Sequence, residues 1–313
     1  MTFALLYDHD VGTSISLGTL PGGNYSQAFD INDAGIACGE WGNTVTGPIH
    51  AFIWDGQMHD VELPVGPNHS ANDINDAGAI CGWMGEISHS NCTAFIYSGG
   101  VTIDLGKPPG TLASEAKAIN DRKDACGSCR RPADGYFGQN RHALLWTQGR
   151  TIEIGVLPDF TRSEARALNN RRIVVGRCWN DPPLFGSRAF VWRDGRLRAI
   201  NDLLVPGTHI DVTEANGVNE SGQIVGSGLD GNGDPIAVLL TPVPPTPGDI
   251  DDEWGVGAAD LALLLANWGP CPRGSHDVES RADDDATPCP ADIDEDGDVD
   301  ASDLAILLGN WGA

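Results

Sequence analysis

The sequence predicts a mainly β protein: a β-propeller of four-stranded repeats followed by a small all-α module. Three observations support this fold class. A segment anchored on an asparagine recurs five times, with 43 to 50 residues between successive copies. The chain's 40 glycines and 20 prolines supply many turns between short strands. Near the C-terminus, two similar segments each place acidic residues directly before an apolar helix.

The five repeated segments each predict two short strands joined by a turn. They read "SQAFDINDAGIACG" (26–39), "SANDINDAGAICG" (70–82), "SEAKAINDRKDACG" (114–127), "SEARALNNRRIVVG" (163–176) and "TEANGVNESGQIVG" (213–226). The anchoring residues are Asn32, Asn75, Asn120, Asn169 and Asn219. Asparagine favours the start of such a turn, and glycine suits its positive-φ position. Between the copies, runs such as "HAFIWDG" (50–56) and "TIDLG" (102–106) predict a third and a fourth strand.

Units of this length with four antiparallel strands are typical of propeller blades, because one isolated blade cannot bury both of its faces. The chain begins with the third and fourth strands of a unit and ends with the first three. We therefore expect the two ends to share one blade and close the ring. Five blades follow most simply, and the spare third strand makes six the alternative. A solenoid of stacked units is the other arrangement that fits the repeats.

Residues 3–242 resemble the HAF-type extracellular repeat family, named for a motif that stands here at His50–Phe52. The stretch "INDLLVPGTH" (200–209) is similar to the final repeat of that family. The resemblance implies an exported protein and says little about activity.

The stretch 292–303 has the spacing of a calcium-binding loop. Such a loop needs side-chain oxygens at positions 1, 3 and 5, a bend-permitting glycine at 6, a backbone carbonyl at 7 and a closing carboxylate at 12. These positions hold Asp292, Asp294, Asp296, Gly297, Asp298 and Asp303, and Asp300 stands at position 9. The sequence therefore predicts a strong calcium site here.

A second loop, 249–260, fits the same pattern less well. Asp249, Asp251, Glu253 and Asp260 stand at positions 1, 3, 5 and 12, with Gly255 at position 7. A tryptophan occupies position 6, where the bend needs glycine. We expect this site to bind calcium weakly or to be degenerate.

The two loop–helix units together resemble a dockerin domain of the type I-like kind with a cysteine pair. Residues 258–269 and 301–312 match at nine of twelve positions, including both Asn-Trp-Gly endings. The resemblance implies calcium as cofactor and a cohesin-like protein as partner. The positions implied to contact that partner are Ala258, Ala259, Leu265, Ala266, Ala301, Ser302, Leu308 and Gly309. These residues carry no charge, so a largely apolar contact is implied.

Two cysteines stand apart from the other six. Cys271 and Cys289 each precede a proline, one after the first helix and one just before the second loop. A disulfide between them would join the two halves of the module and would imply an oxidising compartment.

Charge and composition define the domains and exclude some partners. We expect a propeller at 1–240, a Pro-rich linker at 241–247 and the dockerin-like domain at 248–313. The net charge of −25 argues against nucleic acid as a partner, and no apolar run is long enough to span a membrane. The N-terminus shows no secretory signal, yet the chain begins in the middle of a repeat unit. We expect a secreted or cell-surface protein whose signal segment is missing here, against the alternative that Met1 is the true start of a cytosolic protein.

The sequence predicts no catalytic residues. Acidic residues recur on the innermost strand, but only as repeat-equivalent sets without an asymmetric constellation. The sets are Asp30 with Asp73, and Glu115 with Glu164 and Glu214. The leading functional hypothesis is a secreted, non-catalytic binding or scaffold protein docked through its calcium domain, with a polysaccharide or a surface protein as the propeller's ligand. The alternatives are a dockerin-borne polysaccharide-degrading enzyme acting at the propeller axis, and a structural surface-layer repeat protein.

Overall fold

The computed structural model describes residues 2–43, 47–86, 91–132, 140–180, 186–243, 247–250, 256–271, 289–294, 296 and 298–311. The chain folds into two compact units, Met1–Thr241 and Pro242–Ala313. We call them the sheet unit and the helical unit.

The sheet unit consists of successive antiparallel sheets whose strands follow chain order. A two-stranded sheet comes first, formed by β1 (Ala4–Asp8) and β2 (Thr13–Gly18). Four four-stranded sheets follow. They comprise β3 (Tyr25–Ile31), β4 (Ala37–Gly42), β5 (Ile49–Trp54) and β6 (Met58–Asp60); β7 (Asn68–Ile74), β8 (Ile80–Gly85), β9 (Cys92–Ser98) and β10 (Val101–Gly106); β11 (Ala113–Ile119), β12 (Ala125–Arg131), β13 (Asn140–Thr147) and β14 (Arg150–Gly155); and β15 (Arg162–Leu168), β16 (Val174–Asn180), β17 (Gly186–Arg193) and β18 (Arg196–Ala199). A 3₁₀ helix (Ile200–Leu203) leads to a three-stranded sheet of β19 (Ile210–Val218), β20 (Ile224–Asp230) and β21 (Pro235–Leu240).

Each sheet packs face to face on the next, so that the hydrophobic core is divided into layers between sheets. Val175 and Ala189 of one sheet, for example, pack against Val212, Ala215 and Val238 of the following sheet. The first strands of consecutive sheets, β3, β7, β11, β15 and β19, also contact one another in series. This arrangement buries both faces of every interior sheet.

A glycine on each second strand allows the first strand to approach closely. A Cβ built on Gly127 would lie 2.0 Å from the carbonyl oxygen of Glu115, closer than any side chain can sit. The equivalent glycines have the same contact at 1.9 to 2.0 Å: Gly39, Gly82, Gly176 and Gly226. The invariant glycine that ends each repeated segment is therefore required by strand packing.

The anchoring asparagines link neighbouring sheets as well as starting turns. Asn75 Nδ2 donates to the carbonyl oxygen of Asn120, 2.9 Å away, and Asn120 Nδ2 donates to that of Asn169, 3.1 Å away. The same bond joins Asn32 to Asn75 and Asn169 to Asn219. We call this series of side chain–backbone bonds the asparagine ladder. It ties five turns together at one end of the sheets.

The two ends of the sheet unit do not share a sheet in the described residues, in contrast to the expected closure. The strands β1 and β2 form one sheet, and β19, β20 and β21 form another. The reason is that β21 already occupies the third-strand place of the last repeat. Because β1 is another third strand, it has no vacant place there.

Among its described residues, the helical unit has two nine-residue helices, α1 (Ala258–Ala266) and α2 (Ala301–Gly309). A short bridge pairs β22 (Gly269–Pro270) with β23 (Asp298–Val299). Cys271 and Cys289 are joined by a disulfide, with their Cα atoms 5.9 Å apart. The core is small, and its fully buried side chains are Leu264, Ala291, Val299 and Leu307. In the part of the chain that the structure describes, no helix has the length and apolar character to cross a membrane.

Candidate functional site

A bulge at one repeat position adds an unpaired residue to each of the five first strands. The register with the second strand shifts between Ala116 and Ala118, so that Lys117 has no paired residue. The same shift occurs in the other four first strands. The residues at this bulge position are Phe29, Asn72, Lys117, Arg166 and Asn216. A bulge re-aims its extra residue, and here the bulge side chains of four successive sheets line one cavity.

The central cavity, as we call it, has a volume of about 580 Å³ and lies between the first strands. This size is in the range of small-molecule sites. Its lining combines the apolar side chains of Phe29, Ile49 and Trp83 with four charged ones, from Glu115, Lys117, Glu164 and Arg166. Ser70, Asn72 and Glu40 complete the lining. The cavity is therefore suited to a ligand that has both apolar and hydrogen-bonding groups.

The acidic side chains of the cavity are held by cations. Lys117 Nζ lies 2.6 Å from Glu115 Oε1. Glu164 is contacted by Arg141 NH1 at 2.8 Å and by Arg166 Nε at 3.2 Å. Arg166 NH1 also lies 2.8 Å from Glu214 Oε2. Ion pairs therefore fix these side chains in place, and this wall presents charged hydrogen-bonding groups to the cavity.

Glu40 is a partly buried carboxyl in the lining of the cavity. Burial raises the pKa of Glu40, although hydrogen bonds with Ser70 and Tyr25 oppose the increase. Burial together with the Glu40 charge raises the pKa of Tyr25 to about 12. Burial of Glu40 therefore favours the neutral form of its carboxyl group.

The repeat-equivalent acids divide into two groups. Glu164 and Glu214 are brought together by Arg166, and Glu115 lies in the same cavity. Asp30 and Asp73 have a different role, because each carboxylate accepts a backbone N–H from the next sheet. Asp30 Oδ2 lies 3.0 Å from the nitrogen of Ile74, and Asp73 Oδ2 lies 2.7 Å from that of Ile119. These two aspartates link first strands.

The two cationic residues of the cavity wall, Lys117 and Arg166, were not predicted as site residues from the sequence. Each stands two residues after a repeat-equivalent glutamate, at the bulge position. The repeat alignment carries one usable sign: this position differs in chemical type between copies, whereas the position before it is alanine in all five. Variation within otherwise regular repeats is what a ligand-facing position allows.

In the helical unit, the second acidic loop gathers three carboxylates. Oxygens of Asp292, Asp294 and Asp296 all lie within 4.8 Å of one another. Loss of solvation and the charges of Asp296, Asp303 and Asp292 raise the pKa of Asp294. Three hard oxygen donors at this spacing fit a calcium ion, which prefers carboxylate ligands and offsets their mutual repulsion. Asp298, at position 7, is exposed, and position 6 lies outside the described residues.

The closing aspartate connects this loop to α2. Asp303 is fully buried, and its Oδ1 accepts N–H groups from Ile293 at 2.5 Å and Asp294 at 3.2 Å. Its Oδ2 accepts the N–H of Asp300 at 2.8 Å. Although burial alone would raise the pKa of Asp303, these backbone hydrogen bonds lower it. Asp300 in turn caps α2 by accepting the N–H of Ser302 at 2.7 Å.

The first loop repeats part of this arrangement. Asp260 is buried, and its carboxylate accepts N–H groups from Ile250 at 2.6 Å and Gly257 at 2.8 Å. These contacts correspond to those of Asp303 with Ile293 and Asp300. Asp249 is half-buried, whereas the predicted ligands Asp251, Glu253 and Gly255 lie outside the described residues.

All eight residues implied to contact a partner are exposed. They occupy equivalent places on the two helices: Ala258, Ala259, Leu265 and Ala266 on α1, and Ala301, Ser302, Leu308 and Gly309 on α2. The leucine preceding Leu265 and the one preceding Leu308 are fully buried. Each helix therefore exposes a leucine beside the core.

No known protein family and no curated protein matches the sequence. Solved structures do show similarity of fold. The β-propeller domain of the trilobed protease from Pyrococcus furiosus is 9% identical with a TM-score of 0.51, over 76% of this chain and 72% of that one. TolB from Acinetobacter baumannii is 13% identical with a TM-score of 0.40, over 62% of this chain and 47% of that one. Acylaminoacyl peptidase from Pyrococcus horikoshii is 11% identical with a TM-score of 0.44, over 75% of this chain and 39% of that one.

At these identities the similarity concerns the fold alone. The chain spans less than half the length of the latter two proteins. Together with the series of antiparallel sheets, the first similarity confirms the predicted mainly β, propeller architecture of the sheet unit.

Proposed function

We propose that the chain is an exported, non-catalytic binding or scaffold protein that docks to a cohesin-like partner through a calcium-binding helical unit. The observation that carries this proposal is the convergence of Asp292, Asp294 and Asp296 in the loop before α2. Seven acids within residues 292–303 repel one another unless a cation is bound.

Asp292, Asp294 and Asp296 would hold the ion, with the backbone carbonyl of Asp298 and the carboxylate of Asp303 as the further ligands that the loop pattern assigns. Calcium supplies the positive charge that offsets these carboxylates. Asp303 already fixes the start of the loop and the start of α2 through backbone N–H groups. Ordering of the loop therefore also orders α2.

The docking surface would be the exposed side of the two helices, with Leu265 and Leu308 as its apolar centres. Each is an exposed leucine, and small alanine, serine or glycine residues stand at the neighbouring partner positions. The equivalence of α1 and α2 gives two similar contact surfaces. Because the surface carries no charged side chain at these positions, binding would depend on shape and apolar area more than on salt.

The central cavity supports a binding role for the sheet unit. Two of its glutamates, Glu115 and Glu164, form ion pairs with Lys117, Arg141 and Arg166, which hold them in place as binding groups. A polysaccharide-degrading enzyme is the second candidate, favoured by Glu40 alone, whose raised pKa is a property of catalytic acids. Hydrolysis of polysaccharides by the intact chain, abolished in Glu40→Gln, would favour the enzyme over the binding protein.

Calcium titration of the intact, chelator-treated chain by isothermal calorimetry tests the proposal. We expect saturable binding, and a gain of helical circular dichroism as calcium is added. Asp296→Asn should weaken binding by at least about tenfold, since it removes one anionic ligand. The matched control, Asp10→Asn in an exposed turn of the sheet unit, should bind as the wild type does. An absence of calcium binding, or equal affinities for the two variants, would contradict the proposal.

A further inference from the structure

The basic residues of the sheet unit are confined to two of its sheets. Residues 107–199, which include β11 to β18, contain 17 of the chain's 19 lysines and arginines but only 9 of its 44 acidic residues. This segment therefore has a net charge of +8, although the whole chain has −25. The rest of the sheet unit contains no lysine or arginine. Because the other repeats form the same kind of sheet without basic residues, the fold does not require them.

Part of this positive charge lies at the wall of the central cavity. Lys117 and Arg166 line the cavity directly. Arg177 NH1 contacts the carboxylate of Glu214, which Arg166 also binds. The guanidinium of Arg177 lies 4.8 Å from the centre of the Trp179 ring, and this contact holds its orientation. The wall therefore presents cations in fixed positions.

Two further arginines face each other beside this wall. Arg130 on β12 is the ladder partner of Arg141 on β13. Burial and the positive charge of Arg141 lower the pKa of Arg130, as expected for two cations in close proximity. Arg141 contacts Glu164 of the cavity, and Arg130 lines a crevice together with Glu115. Like charges at directly opposite ladder positions destabilise a sheet, and an anion bound between them would offset that repulsion.

The other lining residues indicate what kind of anion fits. The carboxylates of Glu115 and Glu164 accept hydrogen bonds, so they suit a ligand with hydroxyl donors. The rings of Phe29 and Trp83 supply apolar area of the kind that the C–H face of a sugar ring can cover. An acidic sugar combines hydroxyl donors, an apolar face and an anionic group. Double-stranded DNA and acidic peptides have the anionic groups but few hydroxyl donors.

We propose that the central cavity and the adjoining Arg130–Arg141 pair bind an acidic polysaccharide, whose carboxylate or sulfate group lies between the two arginines. Hydroxyl groups of the adjacent sugars donate to Glu115 and Glu164. This inference rests on the binding role proposed for the sheet unit, and it names the class of ligand.

The test measures binding of the intact chain to immobilised polysaccharides by biolayer interferometry. The acidic probes are polygalacturonate, hyaluronan and chondroitin sulfate, and the neutral control is dextran. A chelator is present throughout, since calcium would otherwise bridge a uronate to the acidic loop of the helical unit. We expect saturable binding to at least one acidic polymer, at least about tenfold tighter than to dextran. Added salt should weaken it, because salt screens charge attraction.

Three arginines provide matched variants. Arg141→Gln removes one cation of the facing pair and should weaken binding to the acidic polymer by at least about tenfold, since charge-assisted hydrogen bonds are lost. Arg130→Gln removes the other and should have the same effect, although it relieves the repulsion within the pair. Arg150→Gln changes the net charge equally at an exposed residue of β14 and should leave the affinity unchanged. Circular dichroism establishes that each variant remains folded.

Absence of binding to all three acidic polymers would overturn the proposal. Equal binding to dextran would also overturn it, but would leave the binding role of the sheet unit intact. Equal affinities of Arg130→Gln and Arg150→Gln would show attraction to net charge alone, and equal affinity for a double-stranded DNA fragment would show that no sugar is recognised. Either result would overturn the assignment of an acidic polysaccharide. Calcium titration of the intact chain tests the helical unit separately, so its failure is distinguishable from these results.

Discussion

Substitution of Asn120 by alanine tests the asparagine ladder at its most buried part. The Asn120 side chain makes two kinds of bond. Its Oδ1 accepts the N–H of Asp124, 2.8 Å away, within its own turn. Its Nδ2 donates to the carbonyl oxygen of Asn169 in the next sheet, 3.1 Å away. Asn169 is 2% exposed, so water cannot replace the lost donor.

The matched control is Asn219→Ala, at the end of the ladder. In the wild type, Asn219 also makes the hydrogen bond within its turn, because its Oδ1 accepts the N–H of Gln223 at 2.8 Å. Its Nδ2 donates to Gln223 Oε1 rather than to another sheet, and the residue is exposed. The two variants therefore lose the same turn bond and differ in the bond between sheets.

The free energy of unfolding should fall by about 1 kcal/mol in Asn219→Ala, the usual net value of one hydrogen bond. In Asn120→Ala it should fall by about 3 kcal/mol, because a buried carbonyl left without a donor adds about 1–3 kcal/mol. Urea unfolding followed by tryptophan fluorescence measures both, since tryptophans of the sheet unit such as Trp146 and Trp192 are buried. Equal losses in the two variants would refute the view that the ladder stabilises the packing of neighbouring sheets.

Gly127→Ala should lower the free energy of unfolding by about 3 kcal/mol through overpacking. Gly186→Ala should leave it almost unchanged, because the new Cβ would meet no atom nearer than 3.8 Å. Urea unfolding measures the free energy of both variants. Burial and a hydrogen bond with the neighbouring aspartate raise the pKa of Asp73 to about 8. The folded state thus retains a proton there, so stability should be greatest below about pH 4, should decline as the pH rises toward 8, and should decline less in Asp73→Asn. Asp292→Ala should lower calcium-dependent thermal stability more than Asp249→Ala does, because the first loop has tryptophan at the bend position.

A specific result would contradict each of these three predictions. Equal stability of the two glycine variants would show that the second strand can move away from Glu115. A stability of Asp73→Asn that follows the same pH profile as the wild type would assign the titration to another group. Equal losses for Asp292→Ala and Asp249→Ala would show that the positions assigned to the first loop are wrong.

The repeat pattern predicted the sheet unit well because each strand carries its own local evidence. Turns led by asparagine and the runs before Asp-Gly place the strands, and four four-stranded antiparallel sheets confirm the repeat unit. The closure of the two ends was not predicted correctly. A third strand at each end has the same sequence pattern, and the pattern does not state which sheet that strand joins.

The central cavity could be predicted only in part. Glu115 and Glu164 are visible as a repeated acidic position, but their partners Lys117 and Arg166 are not. A bulge adds a residue to one strand without changing the length of the repeat, so spacing alone does not reveal it. The hydrogen bonds from the asparagine side chains to the next sheet could not be predicted from local patterns either, since they join residues 43 to 50 positions apart.

The bulge on every first strand has a consequence for how such a protein acquires new binding properties. Four of the five repeats contribute a side chain to the cavity wall from a position that has no partner in the ladder. The surrounding positions, such as Ala116 and Gly127, hold the sheets together and tolerate little change. Recognition and stability are therefore encoded by different residues within each unit. Gene duplication followed by substitution at the four bulge positions that line the cavity can thus generate many cavity surfaces on an unchanged scaffold, which makes these positions suitable for a combinatorial library.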